Sequence, residues 1–333
     1  MDLSTSYLGL KLAHPLMCGA SPLVDDMDMV RRLEDAGSAA IVMHSLFEEQ
    51  IEDEKSEQLV GVEAHTLAHR EAQSYFPPGV DCALGPDEYL EQLARIKKAV
   101  RVPVVASLNG ATLGAWLEYA RLMETAGADA LELNLYGVSV DSKEHASDVE
   151  ARDVATVTAL RQSIQIPITV KLSPQYTALP SFALALSKAG ANGLVLFNRY
   201  YQADIDPEAL ETVRVLHLSD SSELLLRLRW TAILSPWFDG SLAISGGVHR
   251  SIDAVKAIMV GAHGVQLVSA LLRHGPEYLK SVLDGLRAWM VEHEYESLEQ
   301  MRGSMNHARC PDPRAYERAN YVRLLQSWRG NAR

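Results

Sequence analysis

A lysine inside an apolar run, two adjacent glycines closing another run, and three asparagines at the ends of others are the residues here whose types and spacing invite chemistry. Lys171 lies in Ile168-Thr169-Val170-Lys171-Leu172, and a lysine is rarely buried without a partner. Its ammonium can offset charge that develops on a heterocycle during reduction, or attack a carbonyl as a Schiff-base nucleophile; a structural ion pair is the plain alternative. Gly246-Gly247 follows Ser245, and Ser269 ends a later apolar run. Glycines let backbone amides approach an anion, so this pattern suits a phosphate, whereas ordinary tight turns would leave the same trace. Asn109, Asn134 and Asn198 each close a run. They are uncharged, directional donors and acceptors, suited to a heterocycle or an amide, and also to capping backbone at strand ends. Glu132, two residues before Asn134, is expected to pair with Lys171, because a buried charge needs a partner.

These residues must be positioned by something regular. Short apolar runs alternate with amphipathic stretches along the chain. The runs are 15–20, 39–43, 103–107, 130–134, 167–172, 193–197, 242–245 and 264–268. Helical patterns are expected over 28–36, 86–100 (with Pro86 in the first turn), 112–125, 149–163, 179–188, 222–234, 251–260 and 276 to about 293, with serine caps at Ser222 and Ser251. Each run is nearly continuous in apolar residues, as strands buried on both faces are. Intervening helices impose parallel pairing. The fold class is therefore α/β, a (β/α)8 barrel, with a doubly wound open sheet as the weaker alternative because no G-x-G-x-x-G follows the first run. The phrases AGADALEL, AGANGLVL and GAHGVQLV repeat one device, a glycine ending a helix just before a strand. In such a barrel the strand-end residues named above, with Ala20, Ser21, His44 and Ser45, gather at one mouth.

Residues 45–85 and 199–221 interrupt the rhythm. The first is acidic around Glu48–Glu54 and is expected to be a lid insertion, since long strand-to-helix insertions overlie the catalytic mouth. The tail 294–333 reads as a helical extension that caps the barrel or meets a partner subunit. No low-complexity linker divides residues 1–333, which are read as a single domain.

Composition narrows the function. A net charge of −12 disfavours nucleic acid and anionic membrane as partners. There is no run of about 18 apolar residues to span a bilayer and no signal-peptide pattern at the start. Cys18, Cys82 and Cys310 are far apart, without a CxxC pair, which fits a reducing cytoplasm and no metal knuckle. Cys18 is expected in the core. His65 and His69 have ligand spacing without an evident third ligand and read as surface residues. Trp230 and Trp237 read as packing.

Together the motifs resemble the dihydroorotate dehydrogenase family over roughly residues 7–295. The segment from Gly9 to Pro15 and the pair Ala20-Ser21 are similar to the family's G-x4-N-P and A-S-G. Val170-Lys171-Leu172-Ser173-Pro174 matches V-K-L-x-P. Asn198 matches the asparagine of the sixth strand. Gly246-Gly247-Val248 and Val268-Ser269-Ala270 match the late G-G-I and G-T/S-A turns. The resemblance implies FMN as cofactor, held by Ala20, Ser21, Asn109, Asn134, Lys171, Asn198, Gly246, Gly247 and Ser269. It implies oxidation of a CH–CH bond in a small substrate such as dihydroorotate, in pyrimidine synthesis, with an unnamed electron acceptor and a homodimer as the family-level expectation.

One motif breaks the pattern. The family's N-L-S-x-P-N reads Asn134-Leu135-Tyr136-Gly137-Val138-Ser139. The family's proton-accepting cysteine or serine falls on Gly137, which cannot take a proton. The family's flavin-adjacent lysine after the second strand is absent from Met43-His44-Ser45. Ser139, Tyr136 or His145 is then a replacement base brought in by loop closure, or the substrate differs, or the chain binds FMN without chemistry. Lys171, Asn134 and Ser139 are the catalytic candidates. A Schiff-base aldolase using Lys171 and a non-catalytic FMN barrel are the alternatives. Lys171→Ala is expected to slow flavin reduction far more than it alters folding.

Overall fold

The computed structural model describes residues 1–47, 85–109, 113–199, 202–213, 215–318 and 320–327. An antiparallel hairpin opens the chain: β1 (Thr5–Tyr7) pairs with β2 (Leu10–Leu12). Its turn, Leu8-Gly9, has positive φ at both residues, 54° and 79°, the conformation that matches strand twist in a two-residue hairpin. Tyr7 packs with Met17, Val42, Val105, Val195 and Ala243, at the start of the barrel strands, so the hairpin closes the end opposite the mouth. Sequence periodicity overlooked it, because three-residue strands show almost no alternation.

Eight parallel strands then close a barrel. They are β3 (Leu16–Cys18), β4 (Ile41–Phe47), β5 (Val104–Asn109), β6 (Ala130–Asn134), β7 (Ile168–Leu172), β8 (Gly193–Leu196), β11 (Ser241–Ser245) and β12 (Gly264–Leu267). The ring closes where β12 pairs β3 and β11 pairs β8. A small antiparallel pair, β9 (Asp204–Asp206) with β10 (Glu211–Val213), occupies the connection after β8, where a loop was expected. The helices are α1 (Met27–Asp35), α2 (Pro86–Ala99), α3 (Leu113–Thr125), α4 (Ala146–Ser163), α5 (Leu179–Lys188), α6 (Leu224–Leu234), α7 (Ser251–Met259), α8 (Ser269–His274) and α9 (Tyr278–Glu292).

The repeated glycine device behaves as its chemistry demands. Gly127, Gly190 and Gly261 have φ of 100°, 106° and 116°. Two residues later comes Asp129, Asn192 or His263, and each backbone N–H donates to the preceding strand. Each side chain also accepts from a strand-entry amide: Asp129 Oδ2 from Val104 N at 2.7 Å, Asn192 Oδ1 from Ile168 N at 2.9 Å and His263 Nδ1 from Leu242 N at 3.2 Å. Three chemically different acceptors thus do one job, satisfying amides at the barrel's buried rim.

Several boundaries differ from the sequence reading. β4 runs on to Phe47, so Ser45–Phe47 belong to the sheet; the remainder of the expected lid, with His65, His69 and Cys82, lies outside the described residues. Ser222 is not a helix cap: a 3-10 turn (Ser221–Glu223) precedes α6, and Asp220 accepts from Ser222 N. Ser251 is the first helical residue, with Asp253 bonded back to Arg250 N. Among the described residues the tail contains only short helices, α10 (Leu298–Met301), a 3-10 turn (Pro313–Tyr316) and α11 (Asn320–Ser327). Cys18 is fully buried in the main core, Trp230 packs partly against it, and Trp237 is substantially exposed. Among the described residues no helix is long and apolar enough to cross a membrane.

Candidate active site

Register brings the chemistry together. Asn109 pairs Asn134 across β5–β6, and Asn134 pairs Lys171 across β6–β7. One row of the sheet therefore holds both asparagines and the lysine near the C-terminal strand ends, where barrels of this kind place reactive groups. In the interior, Lys171 Nζ donates to Glu132 Oε1 at 3.0 Å, and Glu132 Oε2 accepts from Gln266 Nε2 at 2.6 Å. Glu132 is 0% exposed and Lys171 6%. The expected Lys171–Glu132 ion pair is present. Gln266, from β12 on the far side of the ring, was not anticipated, and its Oε1 is buried with no hydrogen-bond partner among the described residues.

Above this pair lies a neutral network. Asn134 Nδ2 donates to Ser107 Oγ at 2.9 Å and to Ser45 Oγ at 3.1 Å, and the two hydroxyls lie 2.8 Å apart. Asn198 Nδ2 donates to Asn134 Oδ1 at 3.3 Å. Tyr89, buried on α2, receives Ser107 N and donates to Ser107 O, clamping β5 from outside. The network fixes the orientation of the Asn134 amide. Asn109 is half-buried at the end of β5; Ser21 is buried and Ala20 partly so after β3.

The glycine turn is a separate cluster. Gly246 and Gly247 have φ of 85° and 80°. A Cβ on Gly247 would lie 2.5 Å from Leu224 N, and one on Gly246 would lie 2.7 Å from Arg227 Nη2. No side chain fits at either position, because the turn packs on the start of α6. Arg227 is buried and donates to the carbonyls of Ser245 and Glu223; burial draws its pKa down. Ser219, 1% exposed, faces the turn. Its Oγ accepts from Gly247 N at 3.3 Å and lies 3.1 Å from His249 Nε2, while its N–H donates to Ser269 Oγ at 3.1 Å. Burial and then Arg273 hold His249 below the usual histidine pKa. Asp253 accepts from Ser221 Oγ and from the amides of His249 and Arg250. Ser219, Arg227 and His249 were missed by sequence reasoning. Only Asp253 carried a signal, an acid at the third helical position.

The loop after β6 goes elsewhere. Gly137 and Ser139 are exposed and line a cleft of about 330 Å³ with Glu144, Asp153 and Tyr176. Hydrogen bonds from Ser139 and Arg152 hold the Glu144 carboxyl below its ordinary range. Asp153 accepts from Tyr176 Oη at 2.9 Å, and burial pushes its carboxyl up to about 6. None of the residues lining this cleft is Lys171, Asn134 or Asn198. A Cβ on Gly137 would meet nothing within 4 Å. His145 is the N-cap residue of α4, and its side chain accepts no capping hydrogen bond from that helix end.

A closed parallel barrel thus carries an ion-paired lysine and an amide network at its mouth. The family model for dihydroorotate dehydrogenase matches residues 78–215. The dihydroorotate dehydrogenase B (NAD(+)) catalytic subunit of Thermoplasma acidophilum is 26% identical, over 91% of this chain and 98% of that one. The corresponding subunit of Methanocaldococcus jannaschii is 25% identical, over 90% and 97%. The NAD-dependent dihydropyrimidine dehydrogenase subunit PreA of Escherichia coli K12 is 22% identical, over 93% and 78%. The chain is similar to the dihydroorotate dehydrogenase family over residues 78–215, and to these relatives along most of its length.

Proposed function

We propose that this protein is an FMN-dependent oxidoreductase that removes two hydrogens from a CH–CH bond in a small dihydropyrimidine-like substrate. The observation that carries the reading is Lys171, buried beneath the Asn134–Asn198 amides and ion-paired to Glu132. It offers fixed positive charge below a directional neutral network, which suits a heterocycle that becomes more negative on reduction.

The donor set fits the cofactor. Among the described residues Lys171 Nζ has one hydrogen-bond partner, Glu132, and an ammonium has three N–H bonds. Asn134, Asn198 and Lys171 would hold the ring. The Gly246-Gly247 turn, Ser219 and Ser269 would hold the phosphate, with Ala20, Ser21 and Asn109 at the rim. Bound there, FMN supplies the two-electron acceptor. The chain's own work is to orient the substrate amides on Asn134 and Asn198, to keep the ring over a charged floor, and to receive a proton. Ser139 would join only if its loop closes over the mouth.

A Schiff-base role for Lys171 fits less well, because that amine must be neutral to attack and here it is tied to a buried carboxylate. The dihydropyrimidine class is supported by the relatives' names, which leave the electron acceptor open. We read the chain as one cytoplasmic, FMN-binding barrel that forms a homodimer. The test is the visible absorption spectrum of the purified full chain after FMN incubation, followed by anaerobic dihydroorotate. A flavin band that bleaches supports the reading. No flavin band removes it.

A further inference from the structure

The charge on Lys171 decides which chemistry the lysine can do. As an ammonium it offsets negative charge on a ring; as a neutral amine it attacks a carbonyl. Lys171 and Glu132 are both buried, at 6% and 0% exposure, and a dry interior penalises the two charges together. Passage of one proton from Lys171 Nζ to Glu132 Oε1, across their 3.0 Å bond, would neutralise both. Whatever steadies the carboxylate therefore keeps the proton on the lysine.

The steadying group comes from β12. Gln266 Nε2 donates at 2.6 Å to Glu132 Oε2, while Lys171 occupies Oε1. A hydrogen bond to the charged form favours that form. The other polar side chains nearby are turned elsewhere. Tyr7 Oη donates to Thr169 Oγ1 at 3.4 Å, and Asn134 Nδ2 donates to Ser107, Ser45 and the Leu108 carbonyl.

The orientation of the Gln266 amide is set by its partner, because a carboxylate only accepts. Its carbonyl end must then face away from Glu132. It lies against the end of β3, where a Cβ on Gly19 would stand 3.0 Å from Gln266 Cβ and 3.3 Å from Oε1. Gln266 is 1% exposed, and among the described residues Oε1 has no partner. An apolar side chain would avoid that unpaired buried acceptor. What a glutamine adds here is the N–H that meets Glu132.

We propose that Gln266 is a positioning residue that keeps Lys171 an ammonium, and so commits this barrel to flavin chemistry rather than carbonyl chemistry. The flavin half of this inference rests on the reading above; the charge half does not. Without the Gln266 N–H, the proton on Nζ passes to Glu132 Oε1. The pair becomes a carboxylic acid and a free amine. The floor of the site loses its positive charge, and the amine gains a lone pair that can attack a carbonyl carbon.

The test uses the full chain labelled with 15N-lysine and 15N-glutamine. NMR at neutral pH should show Lys171 as an ammonium in the wild type and as an amine in Gln266→Met. Gln266→Asn keeps an amide but is one methylene too short to reach Glu132, and should behave like Gln266→Met. Reductive methylation by formaldehyde and cyanoborohydride should reach Lys171 in both variants and not in the wild type. With FMN bound, Gln266→Met should lower the two-electron reduction potential by at least about 30 mV, a tenfold shift between oxidised and reduced flavin. The same change made in Lys171→Met with Glu132→Gln should leave the potential unmoved, because Gln266 acts through the ion pair. A folded Gln266→Met or Gln266→Asn that keeps the ammonium and resists methylation overturns the proposal, as does a potential shift that persists without Lys171. If neither variant folds, the wild type decides. A Lys171 ammonium together with a downfield, slowly exchanging Gln266 side-chain N–H upholds the proposal, and a Lys171 amine or an ordinary Gln266 N–H overturns it. Failure to bind FMN removes the flavin reading alone, since the NMR and methylation results are obtained without flavin.

Discussion

The barrel mouth has two unlike halves. The strand-borne half is buried and bonded in two clusters, Ser107 with Asn134, and Glu132 with Lys171 and Gln266. The loop-borne half, residues 136–141, carries no regular structure and exposes Val138 and Val140. Matches to the family's motifs lie on the strands and the glycine turn; the departures are in the loop and at the end of β4. Side chains fixed by register can hold a ring in place before anything binds, whereas a loop can change its chemistry without disturbing the barrel. On the proposed reading, the strand-borne half is the preorganised one and the loop is the half open to revision.

The sharpest way to break this contrast is to cut the strand-borne half. Lys171→Met should slow flavin reduction by about 10²–10³-fold, as loss of a preorganised charge does. It should also cost about 3–5 kcal/mol in urea denaturation, because Glu132 is left buried and unpaired. The buried Glu132 partner thus adds a folding cost to the effect expected on flavin reduction. Adding Glu132→Gln should recover most of the stability and none of the rate. If the single variant unfolds no more easily than wild type, the floor is less rigid than described.

Gly247→Ala comes next. With φ at 80° and a Cβ 2.5 Å from Leu224 N, it should lose about 1–3 kcal/mol of stability and weaken FMN retention on gel filtration. Gly137→Cys is the opposite case. Nothing lies within 4 Å of the new Cβ, so its Tm should match wild type, while a rise in dihydroorotate turnover would show that the loop alone was lacking.

Asp153 gives a smaller, pH-dependent effect. Its folded carboxyl is raised from 3.8 to about 6. The folded state therefore holds the proton more tightly than the unfolded chain, and stability falls as pH rises from about 4 to about 6. Asp153→Asn keeps an acceptor for Tyr176 and removes that loss. It should stabilise the protein at neutral pH by up to about 2 kcal/mol and flatten the Tm-against-pH curve across that window. Smallest of all, Ser139→Ala should change Tm by less than about 0.5 kcal/mol equivalent, as exposed substitutions do.

The fold was legible because its signals are local. A glycine, a small residue and an acceptor recur at the entry to β6, β8 and β12, and each repeat carries its own instructions for turning. The Lys171–Glu132 pair was legible too, since both are charges in otherwise apolar runs that form successive strands. Ser219 was not, because it approaches Gly247 from a connection 28 residues upstream and resembles any loop serine. Arg227 sits mid-helix among leucines and reads as a surface charge until α6 is seen packed on the glycine turn. His44 was expected at the mouth with Ser45, but its ring lies against Asp25 and the Tyr89 ring of α2, contacts that only folding brings about.

Gln266 has a consequence for how such a protein can be divided. Glu132 finds Lys171 on the adjacent strand, 39 residues on, but finds Gln266 only 134 residues on, after the ring has closed. A fragment ending after β8 would contain the lysine and lack the amide, leaving one carboxylate oxygen bare in the barrel's interior. The two halves of this barrel are therefore not interchangeable modules. A split protein should assemble only when both pieces are present together, with the polar core acting as the check that the last strand has arrived.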